Sequence, residues 1–584
     1  MQLPPSVLLA TSRRAVLVLV ACPVYAQRVP DSRPGDSVVA ARVDEYLSRL
    51  AAMGHNGGVL VLRDGRTVLK KSYGMADRSA GVPADTATVY NIGSITKQFT
   101  AAAILRLEEL GMLHTTDSIG RFLPGVPADK RGITLHHLLT HTAGLETDFS
   151  PTDYERTTRD EYVRRALASR LLSPPGVRHS YANSGYSLLA AVIEIVTGKE
   201  YERALTDLVL RPAGMTETGY KLPHWDPRRV AHGYQDERDW GTIVERIAAP
   251  GAPYWALRGN GGLATTLSDF ARWDAAQRNA SVLSDSSRRK FTTPYVNEDA
   301  SGRSQYAYGW AIVKTPRGTR LVTHNGGNGV YAAELQRFVD EGVTIFLTST
   351  NSGLNASPMA RTVERIVFGE PYELPPVAVA LTEASIVAAS GWYALPDGSR
   401  LVVRGERGRL LADAVGQSAF ALLGAGDTVV SPRVAALNTR ARTIAEALAK
   451  GDVRPLVAAM SDPPDTADVA RQERALLADR RSRWGELRSV DVIGSAPRGE
   501  VGLTTSVRFT FERGAGTNLY TWGPGGRIVD IGARPYQSTP LIAVSQREFQ
   551  TFQLRSAATL HVSVDGGDLV ARLPGGTLRL PRVK

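Results

Sequence analysis

The sequence predicts an α+β protein: an antiparallel sheet flanked by helices, an all-helical subdomain beside it, and β-rich modules after both. Three observations carry this. Strand-like runs stand at the two ends of residues 36–370. Helical and loop material fills the middle. Beyond the Pro-rich segment Pro371–Pro376 the texture turns to short strands separated by turn residues.

In chain order, Asp36–Met53 has helical periodicity through Val39, Val43, Leu47 and Leu50. Gly57–Arg63 and Thr67–Tyr73 flank Asp64-Gly65 and read as a hairpin. Asn91-Ile-Gly-Ser94-Ile-Thr-Lys97-Gln98 runs into an amphipathic helix, with Phe99, Ala102, Ala103, Leu105, Leu107 and Leu110 on or near one stripe and Gly111 as its stop. A second helix, Gly185–Gly198, follows the turn Pro174-Pro-Gly176. Four strand-like runs come next: Tyr306–Val313, Arg320–His324, Tyr331–Val339 and Val343–Ser349. Pro358–Phe368 closes the domain as a helix. After a linker at 371–385, strands are expected at Gly391–Tyr393, Leu401–Arg404, Leu410–Asp413 and Phe420–Leu423. Ala435–Met460 and Asp465–Arg483 read as helical, and strands return at Val490–Ile493, Thr504–Arg513, Asn518–Trp522 and Arg527–Ile531. Residues 386–436 with 545–584 therefore read as one β-module and 437–535 as an inserted α+β module.

Hydrophobic content of 43% and charged content of 22% are those of a globular chain with a full core. The net charge of +11 is mostly arginine, dispersed as singles and pairs. A nucleic-acid surface would cluster these with aromatics, so that class is excluded. The single cysteine, Cys22, excludes a disulfide framework and a cysteine-ligated metal. Arg13-Arg14 before the apolar run Ala15–Ala21 reads as an export signal over residues 1–26. Val24-Tyr-Ala26 offers a signal-peptidase site that would leave a soluble periplasmic or secreted protein. Leu19-Val-Ala-Cys22 offers a lipobox that would leave Cys22 acylated as a membrane anchor. No later run reaches transmembrane length, and Leu188–Val196 is cut by Glu194.

Ser94 and Lys97 are three apart on the first turn of a helix, so their side chains leave from one side. A buried lysine there can accept the serine's proton, and the helix N-terminus favours a developing anion. Alone the pattern is weak, since random order would give roughly one S-x-x-K in this chain. Tyr181-Ala-Asn183 adds a phenol able to shuttle protons, provided that neighbouring positive charge depresses its pKa, and an amide able to hold a substrate backbone. His324-Asn325-Gly326-Gly327 ends a strand with glycines that let a substrate lie along its edge. His136, His137 and His141 read as a structural helix-and-turn segment, and neither a metal nor a cofactor is expected.

The three motifs, in this order and spacing, resemble those of the penicillin-recognising serine hydrolases, which include class C β-lactamases, low-molecular-weight penicillin-binding proteins, esterases and D-aminopeptidases. Ile133–Leu145, Pro212–Gly219, Gly259–Trp273 and Tyr308-Gly-Trp310 resemble further signatures of that family, and the likeness spans residues 36–370. It implies a β-lactamase/transpeptidase-like fold and an exported serine hydrolase acting on a small-molecule or peptide substrate through an acyl-enzyme. Ser94 would be the nucleophile, Lys97 and Tyr181 its proton partners, and Asn183, His324, Asn325 and Gly326 substrate-binding residues. The backbone N–H groups of Ser94 and Gly327 would form the oxyanion hole. Which of Lys97 and Tyr181 is the acylation base stays open. His324 stands where the β-lactamases and carboxypeptidases usually have lysine, so a substrate carboxylate loses a fixed attraction. That favours amides or esters, D-amino-acid peptides among them, over β-lactamase or DD-peptidase action. A sensor that kept the fold but no turnover is the rival from another class. Residues 437–535 resemble cone-shaped cystatin or nuclear-transport-factor-like modules, and the flanking β-module resembles lipocalin-like barrels.

Overall fold

The structure, a computed structural model, describes residues 33–583 apart from 150–152, 236–237, 248–253, 426–430, 462–465, 499–501, 537, 553, 555–558 and 574. The export segment and Cys22 lie outside the described residues.

An eight-stranded antiparallel sheet organises the first domain. Its strands are β1 (Gly57–Arg63), β2 (Arg66–Tyr73), β3 (Val296–Asn297), β4 (Ser304–Tyr306), β5 (Ala311–Lys314), β6 (Arg320–Gly327), β7 (Ala332–Phe338) and β8 (Val343–Ser349). Their order is β2-β1-β8-β7-β6-β5-β4-β3, which places N-terminal β1 at the side of β8. Every residue of β1 and β8 is buried, because both faces of the sheet are covered. Helices α1 (Asp36–Ala52) and α7 (Ala356–Phe368) pack with Val59, Val61, Ile345 and Leu347 on one face. On the other, Leu60, Leu62 and Phe346 join a larger core that also holds α2 (Thr96–Glu109), α3 (Leu135–Leu139), α4 (Arg159–Ala168), α5 (Asn183–Thr197) and α6 (Leu267–Ala276). Each buried aliphatic or aromatic side chain contributes about 1.5–3 kcal/mol to that assembly.

Three expectations change. Helix α2 is not amphipathic: Thr96 to Leu105 and Leu107 are all buried while Leu110 is 51% exposed, because the helix runs through the domain centre with neighbours on every side. The run Tyr306–Val313 is two strands, since the chain turns at Ala307–Trp310 with Gly309 at φ +76°. A Cβ at Gly309 would lie 3.0 Å from the backbone of Lys97 and Gln98, so a glycine lets this turn lie against α2. Phe420–Leu423 is not a strand but part of a helix, Gln417–Ala425, whose Ala419, Leu422 and Leu423 are spaced to share one buried face.

Beyond the first domain, β9 (Gly391–Ala394), β10 (Arg400–Glu406) and β11 (Arg409–Val415) join β16 (Thr539–Ala543), β17 (Glu548–Gln550), β18 (His561–Asp565), β19 (Asp568–Leu573), β20 (Gly576–Leu580) and β21 (Arg582–Val583) in one sheet. β20 lies at one end of the strand order and β21 at the other. Only Pro581 separates them, and one intervening residue spans at most about 7 Å. The sheet therefore curls until its two end strands come together at Pro581. Between β11 and β16 the chain forms α8 (Pro432–Ala449), α9 (Arg454–Ala459) and α10 (Thr466–Trp484). A four-stranded sheet then follows: β12 (Leu487–Arg498), β13 (Gly502–Phe511), β14 (Ala515–Trp522) and β15 (Ile528–Pro535). These strands and helices enclose a separate core around Trp522, Phe509 and Leu456. Among the described residues no helix is long and apolar enough to cross a membrane.

Phe346 stacks on Phe270 with ring centroids 3.6 Å apart and joins the sheet to α6. Phe346→Ala should cost about 3–5 kcal/mol of the first domain's stability, read as a lower urea midpoint with an unchanged slope.

Candidate active site

Ser94 sits in a single 3₁₀ turn, Gly93–Ile95, that leads directly into α2. The turn is tied down from several sides. Asn91 Oδ1 accepts from the Gly93 N–H at 3.1 Å, Asn91 Nδ2 donates to Leu263 O at 3.1 Å, and the Thr96 hydroxyl donates to Gly93 O at 2.7 Å. Gly93 has φ +49°, and a Cβ there would meet the Gly327 nitrogen at 2.3 Å. Gly326 is equally constrained, since its Cβ would lie 2.0 Å from Ile92 O and 2.8 Å from the Ser94 nitrogen. Two glycines thus let the serine turn and strand β6 approach backbone to backbone.

The same stretch of β6 has one open side. β5 pairs only with Arg320–Thr323, while β7 pairs as far as Gly327. Residues 325–327 therefore keep an unpaired edge next to Ser94, and Asn325 and Gly327 are exposed.

One turn after Ser94, the side chain of Lys97 is fully buried. Its Nζ lies 3.1 Å from Ser94 Oγ, 2.8 Å from Asn183 Oδ1 and 2.8 Å from Asn260 O. Burial lowers its pKa to about 7, against the more distant carboxylates of Asp153 and Asp148, which raise it. An uncharged amine fits these partners: two N–H bonds go to the two carbonyl oxygens, and the lone pair faces the serine O–H. Asn260 is itself fixed by donating to Ala256 O and to Ser187 Oγ.

Tyr181 precedes α5, whose first residue is Asn183. Its ring lies 4.8 Å from Lys97 Nζ and 4.2 Å from the ring of His141. Burial raises its pKa, and the Ser94 hydroxyl only partly offsets this. The expected depression by neighbouring positive charge is therefore reversed, because burial penalises the phenolate. The phenol therefore keeps its proton at neutral pH.

His324 also departs from expectation. On β6, Val322 and His324 point inward while Asn325 and Gly327 face out. The imidazole is 6% exposed, with Nε2 3.0 Å from the Tyr306 hydroxyl and Nδ1 2.6 Å from Asn325 O. Burial, followed by Lys97, lowers its pKa to about 4. Its ring has no nitrogen left for a substrate, so within this motif the outward-facing groups are those of Asn325 and Gly327.

The three histidines of the 136–141 segment have separate partners. His136 Nδ1 lies 2.8 Å from the Tyr308 hydroxyl, His137 Nδ1 accepts from the Thr134 N–H in a capping box, and His141 contacts Ala182 and Tyr306. Elsewhere, His232 stands between Asp239 (Nδ1 to Oδ2, 2.9 Å) and Asp77 (Nε2 to Oδ2, 3.6 Å). Its two nitrogens face different carboxylates, so one ion could not engage both while the pairs persist.

The structure thus brings Ser94, Lys97, Tyr181, Asn183, Gly326 and Gly327 to one place and sets the His324 ring behind it. Sequence reading did not single out Asn260, Tyr306, Asp148 or Asp153. Asn260 lay within the quoted stretch Gly259–Trp273, but nothing local marks its carbonyl as a lysine partner. Tyr306 reads as an ordinary strand aromatic.

A family model described as Beta-lactamase matches residues 41–367. Penicillin-binding protein 4* of Bacillus subtilis (strain 168) is 29% identical over 394 residues, covering 64% of this chain and 87% of that protein. The putative penicillin-binding protein PbpX of the same organism is 31% identical over 254 residues, and the match spans 62% of its length. Among solved structures, the octameric penicillin-binding protein homologue from Pyrococcus abyssi superposes with a TM-score of 0.51 at 19% identity, over 92% of this chain and 99% of that one. EstCE1, a hydrolase with promiscuous acyltransferase activity, gives 0.50 at 20% identity over 57% of this chain and 99% of its own. At these identities the structural likenesses speak for the fold alone.

The lowered pKa of Lys97 sets a pH dependence. Only the unprotonated amine can take the serine proton, so labelling of Ser94 by a fluorophosphonate should accelerate as pH rises through about 7 and then level off. Lys97→Arg, which stays protonated, should abolish it. A flat rate from about pH 5 to 9 would exclude Lys97 as the acceptor.

Proposed function

This chain belongs to the Beta-lactamase family, and from that premise we propose that it is an exported serine hydrolase working through an acyl-enzyme on small amide or ester substrates that need no carboxylate. The observation that carries the reading is the buried Lys97 amine, 3.1 Å from Ser94 Oγ and fixed by two carbonyl acceptors.

In the proposed reaction Ser94 Oγ attacks the substrate carbonyl while its proton passes to Lys97 Nζ. The carbonyl oxygen becomes an oxyanion facing the N–H groups of Ser94 and Gly327, on the open edge of β6. Asn183 holds its Oδ1 on Lys97 and has its Nδ2 free for the acyl side of the substrate. As the intermediate collapses, the bond to the leaving amine or alcohol breaks and the proton returns to that group from Lys97 through the Tyr181 phenol. Water then attacks the ester, giving its proton to the same pair, and Ser94 leaves with a proton restored. The raised pKa of Tyr181 and the lowered pKa of Lys97 favour the lysine as acylation base.

His324 supports the substrate class. A neutral ring with both nitrogens engaged gives no fixed attraction to a carboxylate, so D-aminoacyl amides and simple esters are favoured over β-lactams. The relatives named as penicillin-binding proteins support one competing reading, a site that a penicillin acylates. Export is proposed from residues 1–26, with Gln27 as the mature N-terminus and an acylated Cys22 as the alternative that N-terminal mass analysis would distinguish.

A panel of p-nitrophenyl esters, D-aminoacyl amides and nitrocefin tests the proposal. The best ester or amide should exceed nitrocefin in kcat/KM, and Ser94→Ala should remove about 10³-fold or more of the turnover. Equal efficiency on nitrocefin would overturn the substrate class. The absence of any Ser94-dependent adduct or turnover would favour a binding protein.

A further inference from the structure

Behind the proposed catalytic groups, four hydrogen bonds run in one line through three side chains. The Ala182 N–H lies 3.1 Å from His141 Nδ1, and His141 Nε2 lies 3.2 Å from the Tyr306 hydroxyl. That hydroxyl lies 3.0 Å from His324 Nε2, and His324 Nδ1 lies 2.6 Å from Asn325 O. The two ends of the line fix the tautomer of each neutral ring. A backbone N–H only donates, so His141 Nδ1 is bare and its proton is on Nε2. A backbone carbonyl only accepts, so His324 Nδ1 carries the proton. The Tyr306 hydroxyl then accepts from His141 and gives its single proton to the bare Nε2 of His324. A second proton on His141 would set donor against donor at Ala182, and one on His324 Nε2 would turn the Tyr306 proton out of the line and charge a ring whose burial opposes it.

The backbone bears a cost to make this line. Among the described residues His141 is one of four non-glycine residues with positive φ, at +56°, a conformation that L-residues seldom hold without a local reason. That conformation accompanies an imidazole placed between Ala182 and Tyr306, with its face 4.2 Å from the Tyr181 ring. Ala182 lies between Tyr181 and Asn183, and Asn325 adjoins Gly326 and Gly327. The line therefore joins the loop carrying the proton relay to the strand edge beside the serine.

We infer that His141 and Tyr306 are positioning residues that lock His324 as the Nδ1–H tautomer and hold the Tyr181–Asn183 loop in register with the Asn325–Gly327 edge. His324 then acts as the last link of a brace, and its ring contributes no substrate contact. The inference deepens the proposed hydrolase reading and rests on it for its kinetic consequence. The proton pattern itself needs no substrate.

Two measurements test it. In wild-type protein labelled with ¹⁵N-histidine, long-range ¹H–¹⁵N spectra should show His324 protonated on Nδ1 and His141 on Nε2, assigned with His324→Gln and His141→Gln. The opposite tautomers, or a doubly protonated ring at neutral pH, would overturn the line whatever the enzyme's activity. On the best substrate of the panel, Tyr306→Phe should lower kcat about 10- to 100-fold with KM changed far less. His141→Leu should do the same, and His141→Gln, which keeps a donor and an acceptor, should recover much of the loss. The double variant His141→Leu/Tyr306→Phe should be no worse than the poorer single variant, because both break one line. Additive losses, or a Tyr306→Phe enzyme with unchanged kcat, would overturn the positioning role. Fluorophosphonate labelling of Ser94 in each variant verifies that the site has folded. A wild type without Ser94-dependent turnover would count against the hydrolase reading and leave the spectroscopic test standing.

Discussion

The first domain is built around an amine buried without a counter-ion. Among the described residues no carboxylate lies within ion-pair distance of Lys97 Nζ, and Asp148 and Asp153 act on it only from farther away. Removing an ammonium from water without a paired anion is expensive, so the group relieves the cost by giving up its proton near neutral pH. Two carbonyl oxygens satisfy its N–H groups, which leaves the lone pair for Ser94. A salt bridge at this position would have kept the ammonium charged and the serine unactivated. The buried character of α2 on all sides follows from the same need, since a solvated face would let water restore the charge.

The sheet supplies the second part of the site because its strands are not all equally paired. β5 leaves β6 after Thr323, so the last residues of β6 have an open edge just where the serine turn approaches. That approach is closer than any side chain would permit, and glycines at 93 and 326 make it possible. Helix α5 contributes from the opposite side, with Tyr181 and Asn183 at its start and the brace through His141, Tyr306 and His324 tying that start back to the strand.

The C-terminal part has its own solutions to exposed edges. One sheet closes on itself through the Leu580-Pro581-Arg582 link, and the four-stranded sheet buries its inner face under three helices. The two regions touch the first domain at discrete points. Arg238, in the hairpin that carries Trp240, donates to the carbonyl of Arg513, and Arg409 donates to Met53 O. Trp240 in turn packs against Tyr154 and Tyr331, and the Tyr154 hydroxyl accepts from Asn328, next to Gly327.

The sequence alone determined the features that depend on local periodicity and on fixed spacing. The α+β architecture, the helix that follows Ser94, the placement of Lys97 one turn on, and a helix after Tyr181-Ala-Asn183 all come from interactions within a few residues. The tertiary structure decided whatever depends on what surrounds a residue. It surrounded α2 from Thr96 to Leu105, where an amphipathic helix was expected, and so set the charge of Lys97. It reversed the expected shift of Tyr181, because burial of the phenol penalises its anion. It moved His324 from the substrate side to the inner side, since the inward or outward alternation of a strand is fixed only by its neighbours. Tyr306 and Asn260 gained their roles from residues far away in the chain, and no local pattern announces a partner of that kind.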